Sequence, residues 1–299
     1  MDTLSQLLAL YPMRTALDVR CHFGAPWVLD HPGAPGGVAP YHLIVRGEAR
    51  IGELPLQAGD IIVFPHGAAH RLHFGDPAAT SIRSSTPGLL RLDSNDGDGP
   101  ATDILCGEFR FDADAGLLAA LPPMLVVHTA DRADRTESAS LRHLIAMLQA
   151  EAEVPRAGSE AIVRQLASAL FALLIRCWLA QSLAIPGLFA VMAERRLQAA
   201  LNGMLAAPQQ PWTLKELSAT CHMSRATFAR LFTKAAGATP AAVLAQLRMA
   251  QAARLLDAGK QAGDVGEAVG YQSEAAFNRA FKRRYGVGPG AYRRRAPPA

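Results

Sequence analysis

Short runs in which apolar and polar residues alternate fill the first third of the chain. Beyond them the period lengthens to that of a helix. The alternation predicts strands over Ala16–Phe23, Trp27–Asp30, Tyr41–Arg46, Ala49–Ile51, Asp60–Phe64, His70–Phe74 and Ile104–Phe111. Several short strands at close spacing predict an all-β barrel or sandwich. Ahead of them, Asp2–Leu10 reads as a short amphipathic helix stopped by Pro12. Pro87–Pro100, rich in Gly, Asp, Ser and Asn, reads as an exposed loop.

From Ala113 the pattern is helical. Leu117–Leu121 is a short piece closed by Pro122 and Pro123, and Ser138–Glu151 carries apolar residues at 141, 144, 145 and 148. A longer helix starts at Gly158-Ser159-Glu160 and is ended by Pro186-Gly187. Its Ile162, Leu166, Leu170, Leu173, Leu174 and Trp178 form a surface too wide for an isolated helix, so the barrel or a second subunit should cover it. Within it, Leu166–Ile185 is apolar enough to raise a membrane span. Arg176 and Gln181 interrupt that run, which favours a buried or dimer-forming helix. Leu188–Leu205 reads as one more helix, leading past Pro208 and Pro211 into the most informative part of the chain.

That part, Thr213–Tyr292, contains a repeat. Sliding Ser224–Pro240 forward by 49 positions superposes Ser224 on Ser273, Ala226 on Ala275, Phe228 on Phe277 and Arg230 on Arg279. It also superposes Phe232 on Phe281, Gly237 on Gly286 and Pro240 on Pro289. Each copy predicts a helix with a Ser N-cap, a Phe pair at i, i+4, a Gly stop and a Pro beyond. A short helix precedes each copy. Thr213–Thr220 carries a capping box between Thr213 and Glu216, and Asp264–Val269 plays the same part in the second unit. Two short helices joined by a tight turn make a helix-turn-helix, here present twice, with Ala241–Ala258 as the helical connector. Gly263 and Gly266 should cost the second unit's first helix about 1 kcal/mol each relative to Ala.

Composition sharpens this division. The chain has 299 residues, half of them hydrophobic, enough for two domains with real cores. From residue 190 onward there are 16 Lys and Arg against 6 Asp and Glu, whereas residues 1–189 hold 14 against 20. A basic module beside an acidic one implies that only the first meets a polyanion, and the expected partner is double-stranded DNA. Cysteines 21, 106, 177 and 221 form no CxxC and no disulfide framework, and Met1-Asp-Thr-Leu has no basic leader. The expected compartment is a reducing cytoplasm without membrane insertion.

Gly270-Tyr271, Phe277, Phe281-Lys282, Gly286, Pro289 and Tyr292-Arg293 resemble the signature of the AraC/XylS family of transcription regulators. Gly59, five residues, Pro65-x-Gly67, two residues and His70 resemble the second motif of the cupin superfamily. Together they are similar to cupin-fused AraC regulators, including those that sense reactive chlorine. The expected fold class is therefore α+β. A cupin-like sensor barrel covers 1–112, a helical linker and dimerisation region 113–190, and an all-α domain with two helix-turn-helix motifs 191–299. The function implied is a transcription factor, not an enzyme, whose barrel senses a small molecule, metal or oxidant. A homodimer and a contact with RNA polymerase are implied as well. The alternative is a cupin-fold metal enzyme fused to a DNA-binding tail.

If each Phe pair faces the core, the opposite faces read DNA. They carry Arg225, Ala226, Ala229 and Arg230 in the first copy, and Glu274, Ala275, Asn278 and Arg279 in the second. Arg matches guanine, Asn adenine and Glu the amino group of cytosine, while Ala can touch a thymine methyl. Lys234, Lys282, Arg283 and Arg284, toward the helix ends, suit phosphates. In the barrel, the resemblance to cupins implies a metal site, but no His-x-His is present and Pro40 stands where a Glu is normal. This leaves His42 and His70 as candidates for a transition metal or small effector. Cys21 and Cys106 lie in the first and last expected barrel strands, which can pair. The resemblance makes them candidates for a thiol switch, with His22 as a neighbour able to favour the thiolate.

Overall fold

The computed structural model of the chain describes residues 2–75, 81–86, 88–111, 117–129, 136–154, 156–182, 185 and 187–294. The chain falls into two compact units. One comprises Met13–Phe111 and Leu121–Ser182, the other Met1–Pro12, Asp112–Ala120 and Leu183–Ala299. Most of the helical stretch 113–190 thus belongs with the strands, and the N-terminal helix belongs with the C-terminal helices.

The strand unit holds β1 (Met13–Gly24), β2 (Trp27–His31), β3 (Val38–Arg46), β4 (Glu48–Ile51), β5 (Leu54–Gln57) and β6 (Ile61–Val63). It continues with β7 (His70–Phe74), β8 (Arg83–Ser85), β9 (Arg91–Ser94), β10 (Ala101–Phe111) and β11 (Leu125–Val127). Seven of them form one sheet in the order β11-β6-β3-β10-β1-β9-β8, and the other four form a second, β2-β7-β4-β5. Between them lies a core that includes Phe23, Trp27, Ile44, Leu56, Ile62, Phe64, Leu72 and Ile104. Two expectations change. The stretch read as a loop contains β9, which pairs parallel to β1 with Asp93 opposite Cys21. The stretch read as helical contains β11, paired with β6.

The pair β1–β10 runs antiparallel from Met13 opposite Phe111 to Gly24 opposite Ala101, with a register shift between Leu17 and Val19. Both faces of β10 are used, as strand alternation allows. Thr102, Ile104 and Cys106 point into the core, while Phe109 and Phe111 meet Phe171 at ring distances of 5.0 and 5.4 Å. Phe171 belongs to α3 (Ser159–Gln181), which packs with α2 (Thr136–Glu153) over the outer face of the large sheet.

The sheet and α2 cover most of the apolar stripe of α3: Leu170, Phe171, Leu174 and Trp178 are buried within this chain and Leu166 and Leu173 are half-buried, while Ile162 stays exposed. By length and composition α3 could cross a bilayer. Its polar interruptions have local partners instead. Gln181 bonds both backbone groups of His128, accepting from its N–H at 3.1 Å and donating to its carbonyl at 2.6 Å. Arg176 reaches Glu137 at 3.9 Å. What stays exposed at the α2–α3 end is Met147, Val154 and Ile162.

The other unit begins with α1 (Thr3–Leu10), capped by Asp2 and anchored by the fully buried Leu7. The run read as one helix over Leu188–Leu205 is broken. It consists of α4 (Gly187–Ala193), a 3-10 turn at Arg195–Leu197 and α5 (Gln198–Ala206). Glu194 causes the break: its backbone is extended, and its carboxylate accepts from the N–H of Arg196. Helix α1 packs on α5 and on α8 (Pro240–Asp257).

The two helix-turn-helix motifs are α6 (Leu214–Thr220) with α7 (Arg225–Ala236), and α9 (Ala262–Ala268) with α10 (Glu274–Tyr285). The short α11 (Pro289–Arg293) follows. The capping box of Thr213 and Glu216 forms with both of its bonds. Ser224 and Ser273 accept from the N–H groups of Thr227 and Ala276, and Gly237 and Gly286 take the left-handed conformation that stops each helix. Phe228, Phe232, Phe277 and Phe281 are all fully buried. Gly266 has a packing reason beyond its propensity cost, since a Cβ there would sit 3.1 Å from the Phe277 ring.

Helix α8 ties the motifs together. Half-buried Arg248 donates to the carbonyls of Pro208 and Gln210, each at 2.7 Å. Gly270, with φ +86°, lies so close that a Cβ would be 2.4 Å from the carbonyl oxygen of Gln209.

Candidate nucleic-acid interface and thiol chamber

On α7, Arg225, Ala226, Arg230 and Lys234 are exposed and Ala229 is half-buried. On α10, Glu274, Ala275, Arg279, Lys282 and Arg283 are exposed and Asn278 is half-buried. Burial of the Phe pairs fixes this, because residues on the opposite side of a helix must face out. Among the described residues, none of Arg225, Arg230, Lys234, Arg279, Lys282 and Arg283 forms an ion pair with an acid. Two such helices, each on a helix-turn-helix, offer unneutralised guanidinium and ammonium groups to a polyanion.

The barrel holds a different chemistry. Cys21 and Cys106 are free thiols on the inner face of the large sheet, with their sulfurs 3.9 Å apart. They are diagonal neighbours, since Cys106 stands opposite Val19 and Cys21 opposite Ile104. A cavity of about 100 Å³ reaches them, lined also by His31, His42, Arg91 and Asp93.

Imidazoles continue the cluster. His42 Nδ1 is 3.0 Å from Cys106 Sγ, and His42 Nε2 is 2.7 Å from His70 Nε2. His70 Nδ1 lies 2.8 Å from the carbonyl of Ala68. A carbonyl only accepts, so His70 donates from Nδ1 and its Nε2 carries a lone pair. His42 must then donate from Nε2, which leaves its Nδ1 to accept from the Cys106 thiol. His70 is stacked between Phe64 at 3.6 Å and His31 at 4.7 Å.

This chain does not match a metal's ligand set as it stands. Two imidazoles on one tetrahedral ion would hold their nitrogens about 3.3 Å apart, both lone pairs inward. Among the described residues no three His, Cys, Asp or Glu side chains converge on an ion position.

The electrostatics agree with uncharged imidazoles at His42 and His70 and a protonated thiol at Cys106. Burial first, then the neighbouring His70 and His31, hold His42 well below the usual imidazole range. Burial lowers His70 to about 4, with the Ala68 carbonyl opposing and His31 adding to the shift. The contact with Cys21, then burial and the charge of Asp93, push the Cys106 thiol well up.

His22 does not join the cluster. It points outward from β1 and meets buried Asp103 at 2.6 Å, which also accepts from Arg46 at 2.7 Å. The imidazole beside a thiol is that of His42. The sequence reading also missed Arg91 and Asp93, whose carboxylate accepts from both Arg91 and Ser84.

Residues 2–180 match the cupin family and residues 217–295 match the helix-turn-helix domain family. The chain is 32% identical to the RCS-specific HTH-type transcriptional activator RclR of Escherichia coli (strain K12), over 99% of this chain and 98% of that one. The chain belongs to the AraC family of transcription regulators, with an N-terminal cupin domain. It is also 30% identical to the HTH-type transcriptional regulator MtrA of Neisseria gonorrhoeae, over 98% of each chain. Among solved structures it is similar to the DNA-binding domain of AdpA in complex with a target DNA. That likeness covers 33% of this chain and 89% of the other, at 30% identity and a TM-score of 0.31. The regulator binds DNA in sequence-specific fashion, and its full-length relatives are named as regulators and not as enzymes.

The neutral imidazoles give the regulator's barrel a pH dependence. An unfolded His titrates near 6.5, whereas folded His70 titrates at about 4. Between these values the unfolded chain binds more protons, so stability falls as pH falls. We expect the barrel's denaturant midpoint to be insensitive to these groups above about pH 6.5 and to drop toward pH 4. His70→Gln should flatten that drop; an identical slope in the variant would remove the assignment.

Proposed function

We propose that the regulator reads DNA with α7 and α10 and that its barrel responds to oxidants through Cys21 and Cys106. The observation that carries the sensor reading is the 3.9 Å gap between two free thiols on one face of one strand pair. A disulfide needs about 2.04 Å between sulfurs and Cα atoms within about 7 Å. Diagonal neighbours on an antiparallel pair stand about 7–8 Å apart, so closing the gap takes a small backbone shift together with side-chain rotation. Hypochlorous acid supplies balanced chemistry. One thiol takes chlorine and releases water, and the second thiol then displaces chloride with loss of a proton, leaving the disulfide.

A thiol held protonated at rest reacts slowly with mild oxidants, because the thiolate is the nucleophile. The raised Cys106 therefore favours a strong oxidant. Its similarity to RclR, named as RCS-specific, supports the same direction. On this reading the imidazole chain shapes the chamber and binds no metal. The same reading includes a contact of the DNA-bound regulator with RNA polymerase and a cytoplasmic setting without membrane insertion. We expect hypochlorous acid treatment to join Cys21 to Cys106 in peptide mass maps and to alter DNA binding or promoter output. Cys21→Ala and Cys106→Ala should each abolish that response; a full response in both would end the thiol reading.

For DNA, Arg225, Arg230 and Arg279 suit guanine, Asn278 adenine and Glu274 cytosine, with Ala226, Ala229 and Ala275 available to thymine methyls. Lys234, Lys282 and Arg283 suit phosphates. The two readers fit successive major grooves about 34 Å apart. Arg230→Ala or Arg279→Ala should each weaken operator binding by ~1–3 kcal/mol and relax specificity at one position. Unchanged affinity and footprint in either variant would mean that another face reads the bases.

For assembly, the exposed apolar residues Met147, Val154 and Ile162 support a homodimer contact at the α2–α3 end. Sedimentation should give a dimer that Met147→Glu with Val154→Glu converts to monomer. A monomeric parent chain would sink this contact. Leu170→Glu is not a suitable probe, because Leu170 is fully buried and the charge would test folding.

A further inference from the structure

A second cavity lies inside the helical unit, where α1, α5, α8 and α9 meet, and has a volume of about 370 Å³. Its floor is apolar: Met204 and Leu247 are buried there, and Leu10 and Leu205 stand beside them. Its polar lining is built from Gln6, Gln209, Gln251 and Arg254. Small-molecule sites have this size and makeup, an apolar body with a few polar groups that fix orientation.

Arg254 and Gln251 present donors at this rim, while the amides of Gln6 and Gln209 can donate or accept. Arg254 Nε donates to Gln251 Oε1 at 3.2 Å. That bond uses the amide oxygen and leaves the Gln251 NH₂ group free to donate elsewhere, along with both terminal nitrogens of Arg254. Among the described residues Arg254 forms no ion pair. Asp257, one turn further along α8, lines a smaller neighbouring cleft together with Arg254. A cationic ligand would find the guanidinium opposing it at this rim. An anion finds a guanidinium fork and an amide donor above an apolar floor.

We propose that this cleft is a second effector site, separate from the thiol chamber, that binds a small organic anion: a carboxylate on a compact apolar body. The carboxylate meets Arg254 and Gln251, and the apolar body rests on Met204, Leu247 and Leu10. Two of its walls matter for regulation. Ala268 belongs to α9, the first helix of the second helix-turn-helix. Leu10 belongs to α1, which is joined through Tyr11 and Pro12 to β1, the strand that carries Cys21. A ligand that touches both α1 and α9 has the contacts needed to favour one arrangement of the DNA-binding unit over another.

The test uses the full chain with 2-naphthoate as probe and 2-naphthamide as its uncharged match, followed by calorimetry and saturation-transfer NMR. We expect the carboxylate to bind at least about tenfold more tightly than the amide. Arg254→Gln should weaken it by about ten- to a hundredfold, and Arg254→Lys should recover part of the loss. Ala268→Trp, which fills the cleft from an exposed position, should block binding while leaving the circular-dichroism melt unchanged. Cys21→Ala with Cys106→Ala should leave probe binding intact, which separates this site from the barrel. Absence of probe binding at millimolar concentration overturns the proposal, as does equal binding of carboxylate and amide. So does an Arg254→Gln chain that loses DNA affinity while binding the probe normally, since Arg254 would then be a phosphate contact.

Discussion

The pairing of β1 with β10 constrains most of what the strand unit can do. Strand alternation gives each of these strands two faces, and both are occupied. The inner face of the pair carries Cys21 and Cys106 toward the small cavity. The outer face of β10 carries Phe109 and Phe111 against Phe171 of α3. A slip of one residue would exchange these faces, sending the sulfurs outward and the rings into the chamber. The packing that holds α3 on the sheet is therefore also what keeps two thiols facing each other. The same sheet positions His42 on β3, where it reaches both Cys106 and the His70 of the facing sheet.

The helical unit depends on a repeated local grammar, and for that reason it was legible in the sequence. A Ser cap, two Phe residues one turn apart and a Gly stop each act within a dozen residues, so no knowledge of distant partners is needed. The exposed and buried faces of α7 and α10 follow from the Phe positions alone. The longer barrel strands were legible for a similar reason, with ends misplaced by up to a few residues. Helix α3 announced its need for cover, and the barrel's own Phe109 and Phe111 supply it.

What stayed hidden depends on partners far away in the chain. β9 is four residues, Arg-Leu-Asp-Ser, inside a stretch rich in turn formers. Only its parallel pairing with β1 makes it a strand. His31 joins the cluster because β2 pairs with β7 and sets it opposite His70, a register that composition does not reveal. The break at Glu194 has no Gly or Pro to mark it; a side-chain cap makes it. His22 was the one avoidable error, since alternation alone puts it on the opposite face from Cys21.

Arg248 carries a consequence for the shape of the operator. Its guanidinium fastens the segment entering the first reader to the helix that leads to the second, and Gly270 leaves no slack against Gln209. The two readers are thus geared together, not strung on a tether. Inserting one base pair between their target sites would turn the second by about 34° around the duplex. A flexible linker could follow that rotation. On the proposed reading of DNA by both helices, a geared pair must distort the DNA or give up one groove, so the protein would measure helical phase as well as sequence.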